Sequence, residues 1–196
     1  LSEELASLAA KFSENLLDAT NAFAEFVSDE AELAGLPDDV KQAAREAAEK
    51  DAQPGWKFTL HMPSYLPVMQ YADSRRLRAA MYRASATRAA EFGPAELDNT
   101  PLIRRILDLR GEEAQMLGYA SFAEVSLVPK MAESVPQVLA FLRDLAAKAR
   151  PFAEKDIAEL REFARQELGL ETLEPWDVGY ASEKLLQARY AFSEQE

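Results

Sequence analysis

The apolar positions at the start of the chain recur at steps of three and four: Leu5, Leu8, Phe12, Leu16, Ala19, Phe23 and Phe26. That spacing lines one face of an α-helix and predicts a helix reaching Phe26, with enough apolar surface that something must cover it. A second helix is expected over 40–52, with Asp38 or Asp39 placed to cap its first N–H groups. Over 56–62 the period changes. Trp56, Phe58, Leu60 and Met62 alternate with polar neighbours between Pro54-Gly55 and Pro63, the pattern of a half-buried strand. A strand cannot satisfy its own backbone, so this one must pair with something the chain barely supplies.

Helical patterning then resumes. A short helix is expected over 65–72, and another capped at Asp73, with Leu77, Met81 and Ala84 on one face and an end near Gly93-Pro94. Thr100-Pro101 opens the next, whose stripe runs from Leu102 to Leu117, with Gly118 where a helix end favours a left-handed residue. Ser121 with Glu124, and Ser134 with Gln137, read as capping boxes. From 136 to 168 the apolar phase persists past Pro151, a rod of about 50 Å with a kink or break predicted at the proline. A last helix is expected over 176–190. The pattern predicts a mainly α, multi-helical protein with one short β element near 56–62, either one unit or two helical sub-parts at 1–97 and 98–196.

Composition narrows the class. Of 196 residues, 48% are hydrophobic and 29% charged, the ordinary globular range and long enough for a core. No run approaches the ~18 apolar residues that a membrane helix needs. The 22 basic and 34 acidic residues give a net charge of -12, which opposes the neutralisation that nucleic acids and anionic membranes require, so neither is an expected partner. Arg75, Arg76 and Arg78, and Arg104 with Arg105, cluster among acids on helical patterns and read as solvated faces. The absence of cysteine removes disulfides and thiolate chemistry and fits a reducing compartment, with the cytoplasm as the default. Because the chain opens at Leu1, a removed targeting segment stays open.

Candidate chemistry is sparse. A zinc peptidase of the HExxH kind needs two histidines one helical turn apart and a glutamate base, and this chain has one histidine, His61. In the strand register His61 stands opposite the apolar set, so it should face solvent or a neighbour. A di-iron bundle needs two Glu-x-x-His motifs, and a Ser-His-Asp triad would have to use His61 with no nucleophile elbow in sight. No GxGxxG or Walker-type loop occurs. The acid pairs Asp29-Glu30, Glu112-Glu113 and Glu3-Glu4 read as solvating groups. Tyr65, Tyr71, Tyr119, Tyr180, Tyr190 and Trp176 could line a peptide groove, although core packing explains them more simply. Met62, Met69, Met81, Met116 and Met131 read as core filling. No catalytic or metal-ligating residue is assigned.

Several stretches nevertheless resemble one family in order. These are residues 12–20 (FSENLLDAT), 29–37 (DEAELAGLP), 62–69 (MPSYLPVM), 81–84 (MYRA) with Thr87-Arg88, and 116–123 (MLGYASFA). Near the end stand Pro175-Trp176-Asp177, Tyr180 and Ser182-Glu183-Lys184. Together they resemble the zinc metallopeptidases of the oligopeptidase A and thimet oligopeptidase kind. The resemblance implies a zincin-like, largely helical oligopeptidase with a deep channel that admits short peptides. It also implies a zinc ion held by an HEFGH-type helix and a later glutamate, both C-terminal to the region represented here. On this reading the chain is an internal fragment that builds channel wall, binds no zinc and cleaves nothing alone. Cut from its parent, it should expose apolar faces or self-associate. A dipeptidyl carboxypeptidase fragment, or a non-enzymatic helical scaffold that binds a partner, are the alternatives.

Overall fold

The computed structural model describes residues 1–190. Its elements, in chain order, are α1 (Ser2–Ala22), β1 (Glu25–Val27), α2 (Asp38–Lys50), β2 (Trp56–Phe58), α3 (Met62–Tyr71), α4 (Arg75–Ala86), α5 (Thr100–Met116), α6 (Phe122–Leu127), α7 (Val135–Glu167) and α8 (Val178–Tyr190). The mainly α class follows. Two compact units share the chain: Leu1–Leu16 with Ala89–Asp156, and Leu17–Arg88 with Ile157–Glu196. Neither is continuous in sequence, because α1 and α7 each contribute residues to both.

In the second unit, β1 pairs antiparallel with β2, with Glu25 opposite Phe58, Phe26 opposite Lys57 and Val27 opposite Trp56. The expected orphan strand therefore has its partner within the chain. Phe26 sits in that partner strand rather than on the first helix, because α1 ends at Ala22. The turn into β2 depends on Gly55. Its φ is +87°, and a Cβ there would lie 2.2 Å from the Val27 carbonyl oxygen, which leaves room only for glycine. The main core gathers Val27, Leu33, Phe58, Val68, Leu77 and Met81. A smaller cluster of Leu160, Ala164 and Ala181 packs the C-terminal end of α7 against α8.

β2 stops at Phe58, so the alternation predicted to Met62 breaks: Leu60 is buried, but Met62 is 59% exposed and begins α3. His61 is the exposed N-cap residue of α3, not a strand residue. The carbonyl of His61 accepts from Ser64 and Tyr65 at the start of the helix. α2 is preceded by Pro37, and neither Asp38 nor Asp39 caps it; both lie in its first turn, where they complement the helix dipole. Ser74, not Asp73, caps α4 by accepting the Leu77 N–H at 3.2 Å. α4 ends at Ala86, before the expected Gly93-Pro94.

In the first unit, α5 opens at Thr100-Pro101 and closes as predicted. Gly118 takes φ +79°, and the Tyr119 N–H donates to Ala114 while Gly118 donates to Gln115, the paired bonds of a Schellman end. Arg105 joins α5 to α1 through Glu4, at 2.7 and 3.0 Å. Asn15 donates to Asn99 at 2.9 Å, and Asn99 donates to the Phe12 carbonyl at 3.0 Å. Both asparagines are buried. The apolar core is thin, since Leu109 and Ala114 are its only buried hydrophobic side chains among the described residues.

The two capping boxes form only in part. At Ser121 the hydroxyl makes no cap bond, and Glu124 accepts the Ala120 N–H instead. At Ser134 the hydroxyl accepts the Gln137 N–H at 3.3 Å, while Gln137 accepts from Glu133. α7 runs unbroken through Pro151. The carbonyl of Ala147 loses its donor there, but every side chain in 141–156 is exposed, so water can serve the freed group. No described helix is long and apolar enough to cross a membrane.

Candidate functional site

The most densely connected polar centre lies in the second unit, where α4 begins and the turn Pro175–Asp177 leads into α8. Asp177 is fully buried, as is Arg78 beneath it on α4. The Arg78 Nη2 donates to Asp177 Oδ1 at 2.8 Å, and its Nη1 donates to the Ala72 carbonyl at 2.6 Å. Arg75, half-exposed, donates from Nη2 and Nε to Asp177 Oδ2 at 2.7 and 3.0 Å. The backbone N–H of Glu174 adds a further bond to Oδ2 at 3.1 Å. The Arg78 guanidinium lies 4.0 Å from the Tyr180 ring centre, and the Tyr180 hydroxyl donates to Asp73 Oδ1 at 2.8 Å. The expected solvated face therefore holds for Arg76, which is exposed, and for half-exposed Arg75, but not for Arg78. Arg78 is the largest fully buried side chain among the described residues, because a buried carboxylate supplies its counter-charge.

The electrostatics follow from these contacts. Burial pushes the Asp177 carboxyl up, but hydrogen bonds from Arg75, Arg78 and Glu174, with the Arg75 charge, outweigh it and hold the group below its ordinary range. Burial, with the hydrogen bond to Asp73 second, pushes the Tyr180 hydroxyl up to about 12. A carboxylate whose oxygens are all engaged, facing guanidinium groups, has no lone pair to spare for catalysis. The arrangement can clamp α4 to the Pro175–Asp177 turn, and it offers no nucleophile or free base.

The other candidates are dispersed. His61 has no ligand set around it, and among the described residues no group of three or more His, Cys, Asp or Glu side chains is placed to hold a metal ion. The zinc implied by the resemblance therefore does not fit the residues described. Asp29 caps a 3-10 turn by accepting the Ala31 N–H, and Glu4 and Glu112 pair with Arg105. Tyr71 is buried, Tyr65 and Trp176 pack on the core, and Tyr180 belongs to the arginine centre. Tyr119 and Tyr190 are exposed. Met69 and Met81 are buried, but Met62, Met116 and Met131 are exposed and do not fill the core. The first unit carries a shallow, mainly apolar groove of about 330 Å³ between Phe12 and Ser13 of α1 and Ile103, Ile106, Leu107 and Arg110 of α5. Sequence reasoning missed the Arg78–Asp177 pair; its one signal was that both partners fall in or beside conspicuous local clusters.

The family model for Peptidase family M3 matches residues 68–196, and the chain belongs to that family. Over its whole length it is 48% identical to oligopeptidase A of Salmonella typhimurium, covering 29% of that protein. It is 41% identical to a probable cytosolic oligopeptidase A of Arabidopsis thaliana, again over all of this chain and 29% of the relative. A dipeptidyl carboxypeptidase of Salmonella typhimurium is 30% identical over 99% of this chain and 28% of its own length. The chain thus spans less than a third of the relatives it matches.

Proposed function

We propose that this chain forms part of the helical framework of a zinc oligopeptidase that hydrolyses short peptides, and that its helices contribute wall to the substrate channel. The observation that carries the reading is the 48% identity to an oligopeptidase A along the entire chain. Identity falls to 30% against a dipeptidyl carboxypeptidase, which favours the oligopeptidase over that relative. In this reading the zinc and its ligands belong to polypeptide outside residues 1–196. This chain contributes no catalytic or metal-binding residue, and the working compartment is the cytoplasm. Without the remainder, the exposed apolar side chains make weak self-association the expected behaviour of the 196-residue chain.

The test compares two proteins on an internally quenched peptide. The complete polypeptide should cleave it, lose activity to a chelator and regain it with zinc, while the 196-residue chain should cleave nothing at any zinc concentration. Metal-dependent cleavage by the 196-residue chain would sink the division of labour. A complete polypeptide that is inert towards peptides would favour the helical scaffold instead.

A further inference from the structure

The first half of α7 is regular structure with almost no cover. Every side chain in 139–156 is exposed, over about 27 Å of helix. Its apolar residues are nonetheless in register. Val135, Val138, Leu142, Leu145, Ala149 and Phe152 alternate steps of three and four, the repeat by which one helix packs along another. Leu142, Leu145 and Phe152 stand 53%, 50% and 72% exposed.

The charges beside this stripe distinguish between occupants. Residues 135–156 carry four basic side chains (Arg143, Lys148, Arg150, Lys155) against three acidic ones (Asp144, Glu154, Asp156), a local balance of +1 in a chain of net charge -12. Lys148, which also pairs with Asp144 at 2.7 Å, and Lys155 stand one heptad apart on the same edge of the stripe. Two copies of α7 packed antiparallel would set these lysines against their counterparts, and packed in parallel would set them against Leu139, Ala146 and Ala153. A second copy also brings a second strongly acidic chain. A helix with acidic flanks meets neither obstacle. The chain covers 29% of its oligopeptidase A relatives, so a polypeptide of their length would hold most of its residues outside this segment.

We propose that the 135–152 stripe of α7 seats an amphipathic, acid-flanked α-helix contributed by the part of the same polypeptide outside residues 1–196. This rests on the reading of the chain as part of a longer oligopeptidase. The test is hydrogen exchange on the complete polypeptide and on the 196-residue chain, each at two protein concentrations. Amides in 139–156 should exchange at least about tenfold more slowly in the complete polypeptide, independently of concentration. Leu142→Glu with Leu145→Glu should abolish that protection, and Lys148→Glu with Lys155→Glu should reduce it. Because all four positions are exposed, the far-ultraviolet dichroism of the 196-residue chain should be unchanged in either variant. Equal exchange in both proteins, protection of the complete polypeptide that grows with concentration, or protection indifferent to the leucine changes would each overturn the inference. A complete polypeptide that cleaves peptides but leaves 139–156 unprotected overturns the seat alone, whereas one that cleaves nothing overturns the functional reading.

Discussion

Asp177 shows how one side chain can decide the behaviour of several others. With no exposure and both oxygens engaged, it neutralises Arg78, which is itself buried. Removing it leaves an uncompensated buried guanidinium, so Asp177→Ala should destabilise the chain by about 3–5 kcal/mol. Arg78→Met should cost less, since Arg75 still serves the carboxylate, and Arg75→Met least, since that side chain is half in water. Urea unfolding of the three variants checks the ranking; equal midpoints would refute the clamp. The pH dependence has a definite sign. The folded form holds Asp177 below its ordinary range, so the unfolded chain takes up the proton first as pH falls. Stability from this group is complete above about pH 4 and is lost on further acidification. Tyr180 acts at the other end. Raised to about 12, it lets the unfolded chain ionise first, so stability declines between about pH 10 and pH 12. Tyr180→Phe should remove that alkaline loss, measured as the midpoint of thermal unfolding against pH.

At the scale of elements, the tight turn into β2 and the proline of α7 make opposite predictions. Gly55→Ala introduces a Cβ 2.2 Å from the Val27 carbonyl oxygen in a left-handed conformation, and should cost about 1–3 kcal/mol by forcing β1 away from β2. Pro151→Ala restores a donor to the Ala147 carbonyl within a helix that is already continuous there. It should stabilise α7 by about 1–3 kcal/mol, visible as slower amide exchange around 147–155. Much of this level was legible beforehand. Thr100-Pro101 and Gly118 bracket α5, because start and stop chemistry is local. β1 was not legible, because Phe23 and Phe26 keep the helical phase after the helix has ended at Ala22. Three residues are too few to establish a period of two, and what makes them a strand is the backbone of residues 56–58.

For the whole molecule, the contrast lies between the two units taken separately. The second holds nearly all of the buried apolar side chains, whereas the first buries only Leu109 and Ala114 among the described residues. Amides of α5 and the first half of α7 should therefore exchange faster in the 196-residue chain than those of α3 and α4. Similar protection throughout would contradict the burial. The chain should also bind a hydrophobic dye and sediment with a concentration-dependent mass; a strict monomer that ignores the dye would count against the exposed face. By itself the sequence determined the helical class, most helix starts and ends, the absence of a second histidine, and the family resemblance, because each rests on residues near one another in the chain. The tertiary structure alone decided that Arg78 is buried, that β2 has a partner, and that the α7 stripe lies open. Those depend on groups as far apart as Arg78 and Asp177, 99 residues distant in sequence, and only folding brings such groups within reach.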